Sequence, residues 1–180
     1  SSVISSAVKC LSLWRDNIVA ANTEDCDFAI EDLVEHPEPV SLYLVVPPSD
    51  VSRMRPLIRL IVNTIGRRLT EKLNPSEGEG IPARRRLLLM MDEFPTLGRL
   101  DFFQTQLAYL AGYGIQAFLI VQDLSQLYAA YGHDESIVSN CHVRAAYAPN
   151  KVETAQLLST MAGLMTVKKA RRMYSGNRLS

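Results

Sequence analysis

RRRLLLMMDEFPTLGRL, residues 84–100, runs three arginines into five consecutive apolar residues and then into two adjacent carboxylates, Asp92 and Glu93. A short, continuous apolar run bounded by charge reads as a strand buried on both faces, the kind that lies inside a parallel sheet. In such sheets ligands bind beyond the carboxyl ends of the strands, which is where the two acids stand. Neighbouring side chains on a strand point to opposite faces, so successive carboxylates can divide the labour. The first can orient a Mg2+ ion through its water shell, and the second can position or deprotonate the water that attacks a phosphate. The plainer reading of the same pair is a strand end that caps the next turn.

The rest of the chain repeats the pattern. IQAFLIV (115–121) is a second apolar run, ending in Gln122. A glutamine there can hydrogen-bond a terminal phosphate or the attacking water, or simply occupy a loop. VSLYLVV (40–46), stopped by Pro47-Pro48, and VRAAYA (143–148) read as further strands. Val51, Met54, Leu57, Ile58, Ile61, Val62, Ile65 and Leu69 step by three and four, one helix face over about five turns. Asp50 is its candidate N-cap, and Pro56 implies a late start or a bend. Helices are also expected over 1–14, within the acidic stretch 22–39, and near 101–112, 123–131 and 151–162. NPSEGEGIP (74–82) is a loop. Apolar strands alternating with helices predict an α/β fold, a mostly parallel sheet covered on both faces.

Composition excludes several classes. With 47% hydrophobic and 21% charged residues the chain is of the globular type, and no apolar run approaches the roughly 20 residues of a membrane helix. SSVISSAVKCLSLW, at the N-terminus, has neither the basic nor the apolar region of a secretory signal. Cys10, Cys26 and Cys141 form no CxxC pair, so they read as thiols of a reducing cytoplasm rather than zinc ligands or a disulfide framework. His36, His133 and His142 have no ligand spacing and receive no chemistry.

The net charge of zero hides blocks. Residues 1–50 carry two basic and nine acidic groups, residues 51–86 nine basic and three acidic, and residues 151–180 six basic and one acidic. Arg53, Arg59, Arg67 and Arg68, with Lys168, Lys169, Arg171 and Arg172, are therefore candidates to follow a nucleic-acid backbone or to face a neighbouring subunit. Solvated faces are the competing reading. Tyr174 is the one aromatic close to them, so base stacking has little support.

MMDEFPTLGRL, LAYLAGYGIQAFLIVQDLSQL and YGHDESIVSNCHVRAAYAPN strongly resemble the TraG family of type IV secretion coupling proteins. VSLYLVVPPSD and RMRPLIRLIVNTIGRRL fit the same family, and the resemblance covers roughly residues 1–167. It implies a RecA-like P-loop NTPase fold. It also implies a membrane-anchored homo-hexamer at the cytoplasmic face of the bacterial inner membrane. That hexamer would use ATP and Mg2+ to pass single-stranded DNA, with its attached relaxase and relaxosome, to type IV secretion channel proteins. By the resemblance Asp92 and Glu93 are the Walker B pair, Asp92 holding Mg2+ through water and Glu93 activating the attacking water. Gln122 matches the glutamine of the family's third nucleotide-site motif. Arg144 and Arg99 are candidates for the arginine that a neighbouring subunit contributes.

One family feature has no counterpart here: no GxxxxGKS or GxxxxGKT occurs in the sequence. The expectation is thus an incomplete RecA-like domain. Residues 1–39 would be a helical segment leading out of an inserted all-helical domain. Residues 40–165 would be the C-terminal part of the nucleotide-binding domain, and residues 166–180 a basic, flexible tail. By itself such a chain is expected to hydrolyse nothing and to leave an edge of strand 115–121 unpaired. Two other readings stay open: a different RecA-like hexameric DNA translocase, or a docking module that binds no nucleotide.

Overall fold

The structure, a computed structural model, describes residues 4–5, 8, 11–73 and 84–164. Two units are distinguished, Ser1–Arg144 and Ala145–Ser180. The loop read at 74–82 and the basic tail with Lys168, Lys169, Arg171 and Arg172 lie outside the described residues, as does part of the helix read at 1–14. Of that helix, Ile4, Ser5, Val8 and Leu11 are helical, and a 3-10 turn follows at Ser12–Arg15.

Helix α1 (Asn17–Asn22) begins where Asp16 accepts the Ile18 N–H at 2.9 Å, a side-chain cap on an otherwise orphaned donor. Helix α2 (Asp32–Glu35) is one turn long and buries Leu33 and Val34. Helix α3 (Val51–Leu69) is the long helix that the three-and-four spacing predicts, and its later turns bury Val62, Ile65, Gly66 and Leu69. Asp50 occupies the N-cap position, but its carboxylate makes no cap bond and instead faces Arg53 at 3.5 Å. The helix does not wait for Pro56: it starts at Val51 and runs through the proline.

Gly66 explains how α3 meets its neighbour. A Cβ there would lie 2.6 Å from Cζ of Phe102, so the bare backbone is what lets the tip of that ring come so close to the helix. Phe102 belongs to α4 (Asp101–Gln106), which continues as a 3-10 helix over Leu107–Tyr113 and ends on Gly114 in the left-handed region. The sequence expectation of one helix over 101–112 holds in position, but its second half is wound tighter.

Strands β1 (Leu87–Met91) and β2 (Ile115–Leu119) pair in parallel, Leu87 opposite Ile115 through Met91 opposite Leu119. Among the described residues these are the whole sheet. Its inner face joins the core with Phe94, Leu100, Phe103, Leu110 and Leu127. The outer face is open, with Leu88 56%, Met90 60% and Phe118 52% exposed. Coverage on both faces, expected from the unbroken apolar runs, is therefore not observed within this unit.

Two expected strands are absent. Residues 40–46 have no regular structure, and Tyr43 and Val45 are largely exposed. Residues 143–148 likewise form no strand, with Val143 and Tyr147 nearly bare. The physical reason is common to both: a strand exists only through a ladder partner, and neither segment has one. Valine- and leucine-rich composition reports an inclination to be covered, not the presence of a cover.

Helices α5 (Leu124–Tyr131) and α6 (Ile137–Asn140) close the first unit, with Leu127, Tyr131 and Ile137 in the core. The second unit contains α7 (Val152–Ala162), which has no buried residue and ends on Gly163 at φ 74°.

Candidate functional site

The end of β1 is built from buried anchors outward. After Met91 the chain places Asp92 and Glu93 in solvent and then drops Phe94 into the core at 0% exposure. Phe94 packs edge-on to Phe103, with ring centroids 5.1 Å apart, and stacks on Tyr131 at 5.4 Å. The Tyr131 hydroxyl accepts the buried Leu100 N–H at 3.1 Å, and burial pushes its pKa up to about 12. The parallel ladder runs on past the strands: Ile120 N–H donates to the Met91 carbonyl and Phe94 N–H to the Ile120 carbonyl, both at 3.0 Å.

Between these anchors Glu93 adopts φ 47° and ψ 44°. It is the one non-glycine residue with positive φ among the described residues. For an L-residue this conformation costs about 1–2 kcal/mol, so its neighbours must hold it there. They do so on both sides. Glu93 N–H donates to Asp92 Oδ1 at 3.0 Å, and the Glu93 carbonyl accepts both the backbone N–H and the Oγ1 hydroxyl of Thr96, each at 2.8 Å.

This turn sends the Glu93 carboxylate across to the end of β2. Gln122 Nε2 donates to Glu93 Oε1 at 2.5 Å, closing a bridge between residues 29 apart in sequence. The next residue, Asp123, caps α5 by accepting the Ser125 N–H at 2.8 Å, which fixes the chain on the far side of Gln122. Asp92, Glu93 and Gln122 thus stand together, exposed, at the carboxyl edge of the sheet. Asp92 Oδ2 has no partner among the described residues. No group of three or more His, Cys, Asp or Glu side chains that could hold a metal directly occurs among them. A single open carboxylate suits a cation kept in its water shell, as Mg2+ usually is.

The arginines are elsewhere and otherwise engaged. Arg53 pairs with Asp16 at 2.5 Å and Arg68 with Glu31 at 2.5 Å and Glu71 at 2.8 Å, tying the N-terminal segment to α3. The Arg53 guanidinium holds the Asp16 carboxyl below its ordinary range. Arg59 donates to the Leu97 carbonyl at 3.2 Å, joining α3 to the turn that follows Glu93. Arg67 is exposed on the last turn of α3, favourable for a cation beside helix carbonyls. Arg99 pairs with Asp101 at 2.9 Å. Arg144 is not on a strand as expected, since residues 143–148 form none. Its Nε instead donates to the Val138 and Cys141 carbonyls, each at 3.0 Å, at the end of α6.

Sequence reasoning missed Thr96, Phe94 and Tyr131. The signal for Phe94 was there, an aromatic directly after two acids. The role of Thr96 rests on a backbone angle that composition does not report.

A family model described as type IV secretory system conjugative DNA transfer matches residues 1–180. The chain belongs to this family. Within it, the chain is 49% identical over 183 residues to a conjugal transfer protein TraG of Escherichia coli, covering 99% of this chain and 29% of the relative. It is 32% identical over 171 residues to protein VirD4 of Agrobacterium fabrum (strain C58 / ATCC 33970), covering 94% of this chain and 25% of the relative. This member of the conjugative DNA transfer family therefore spans less than a third of the length of these relatives. Among solved structures it is similar to the conjugative coupling protein TrwB with a TM-score of 0.53 and 26% identity, over 64% of this chain and 27% of that one. TrwB has been solved in complex with the non-hydrolysable GTP analogue GDPNP and with ADP and Mg2+. The α/β, RecA-like class read from the sequence stands with this likeness.

Proposed function

We propose that Asp92, Glu93 and Gln122 form the hydrolytic half of a nucleotide site in the motor domain of a conjugative coupling ATPase. The observation that carries the reading is the Glu93–Gln122 bridge at the carboxyl ends of two adjacent parallel strands. The nucleotide complexes of TrwB support the same site class. Bound Mg2+ would supply charge neutralisation at the transferring phosphoryl group. Asp92 would hold the ion's water shell, Glu93 would take the proton of the attacking water, and Gln122 would register the terminal phosphate. No GxxxxGKS or GxxxxGKT is present in these 180 residues, so the phosphate cradle is not theirs to provide.

In the full-length protein, hydrolysis would drive single-stranded DNA with its relaxase toward a type IV secretion channel. The arrangement is a homo-hexamer on the cytoplasmic face of the inner membrane. No helix among the described residues is long and apolar enough to cross a membrane, so the anchor would be supplied elsewhere. Arg99 and Arg144 are the candidates for an arginine offered to a neighbour's site, and Arg59 and Arg67 are the members of the α3 set that make no ion pair with a carboxylate among the described residues. Glu93→Gln in the full-length protein should abolish Mg2+-ATP hydrolysis while nucleotide binding persists. Turnover at the parental rate would remove Glu93 from this role.

A further inference from the structure

We infer that Thr96 is a positioning residue for the hydrolytic carboxylate, locking the left-handed turn from which Glu93 reaches Gln122. The inference rests on the reading of Glu93 as the water-activating group.

The peptide unit joining Glu93 to Phe94 is held at both of its polar ends. Its N–H, on Phe94, is fixed to the Ile120 carbonyl of the neighbouring strand at 3.0 Å. Its carbonyl, on Glu93, receives the Thr96 N–H and the Thr96 hydroxyl, both at 2.8 Å. A carbonyl oxygen offers two lone pairs, and Thr96 occupies both. That plane sets ψ of Glu93, and the Asp92 Oδ1 bond to the Glu93 N–H steadies the plane before it. Three of these four bonds use backbone atoms or the Asp92 side chain, and any residue at 96 other than proline would keep them. The fourth needs a hydroxyl.

Without the hydroxyl, one lone pair of a carbonyl in a sparsely populated conformation is released. Glu93 can then relax toward the ordinary right-handed or extended regions, which swing its carboxylate off the Gln122 bridge. Threonine suits the post because its branched Cβ restricts χ1, leaving the hydroxyl few other places to go. Serine keeps the donor with more rotamer freedom, and valine keeps the shape without the donor.

The test compares Thr96→Val, Thr96→Ser and Glu93→Gln in the full-length protein. Steady-state Mg2+-ATP hydrolysis and titration with a non-hydrolysable ATP analogue are read for each. Displacing a catalytic group by about 1 Å is enough to cost roughly a hundredfold, so a partial release in Thr96→Val should lower kcat by about tenfold. KM and analogue affinity should stay at parental values, and Thr96→Ser should recover most of the rate. A parental kcat in Thr96→Val overturns the inference, as does a Thr96→Ser protein as slow as Thr96→Val. Joint loss of kcat and analogue binding also overturns it, marking a structural role only. The underlying reading fails separately, through parental turnover in Glu93→Gln.

Discussion

Gly66→Ala sets two physical effects against each other on α3. In an exposed helix interior the change would stabilise by about 1 kcal/mol, since alanine orders at lower entropic cost. At this position the new Cβ would lie 2.6, 2.7 and 2.9 Å from three atoms of the Phe102 ring. Carbon atoms rest at about 3.5–4.0 Å, so the ring must retreat by roughly 1 Å. Phe102 is 7% exposed and meets Phe103 edge-on with centroids 5.5 Å apart, and Phe103 in turn meets Phe94. The retreat is therefore resisted by the aromatic stack beneath Glu93. Overpacking of this kind costs about 1–3 kcal/mol, which outweighs the propensity gain and leaves a net loss near 1 kcal/mol. The assay is amide hydrogen exchange in the full-length protein, where that loss speeds local opening of α3 and α4 by about fivefold. Phe102→Leu in the same chain should relieve the clash and return the exchange rates toward the parent. Slower exchange in Gly66→Ala would refute the reasoning, because it would mean the ring yields without cost.

Two further outcomes follow from the same packing. The unfolded Tyr131 hydroxyl ionises near its ordinary 10.0, whereas the folded one keeps its proton to about 12. The unfolded state thus binds fewer protons above pH 10, and the stabilisation from this group is full below that pH and lost between there and about 12. Denaturation followed against pH should show this decline, and Tyr131→Phe should flatten it; an unchanged slope would reject the assignment. The open sheet face, and strand edges that have no partner among the described residues, should make the 180-residue chain prone to self-association by itself, and Leu88→Lys with Phe118→Lys should raise its soluble monomer fraction in sedimentation. A parental chain that is already a monodisperse, cooperatively melting monomer would contradict this.

Much of the fold was legible because its signals are local. The three-and-four spacing from Val51 to Leu69 fixes the face that α3 buries, and the apolar runs at 87–91 and 115–119 pair in parallel as their lack of alternation suggests. Asp92, Glu93 and Gln122 could be named from their places at strand ends. What was not legible depends on partners distant in sequence. VSLYLVV has the composition of a strand, yet the ladder that would make it one is not formed. The left-handed turn at Glu93 is stabilised by Thr96 and Ile120, so its angle belongs to the assembled turn and not to the residue. The arginines of α3 looked like a cationic face, but Arg53 and Arg68 are spent on Asp16 and Glu31, whose own acidic block the sequence shows 37 residues away.

Strand β1 is also fastened at its beginning. Arg85 N–H donates to the Val34 carbonyl at 2.8 Å, its guanidinium reaches the His36 and Pro37 carbonyls, and Arg84 pairs with Glu35 at 2.8 Å. The other end is nailed by Phe94 to Ile120. Two fixed points, Arg85 and Phe94, on either side of the five-residue strand make it a gauge block, whose length is set by a rise of about 3.3 Å per residue. Side chains along the gauge can be exchanged, but adding or removing one residue would turn Asp92 and Glu93 to opposite sides and carry the carboxylate a full step from Gln122. The tolerance of this segment is therefore one of composition and never of count.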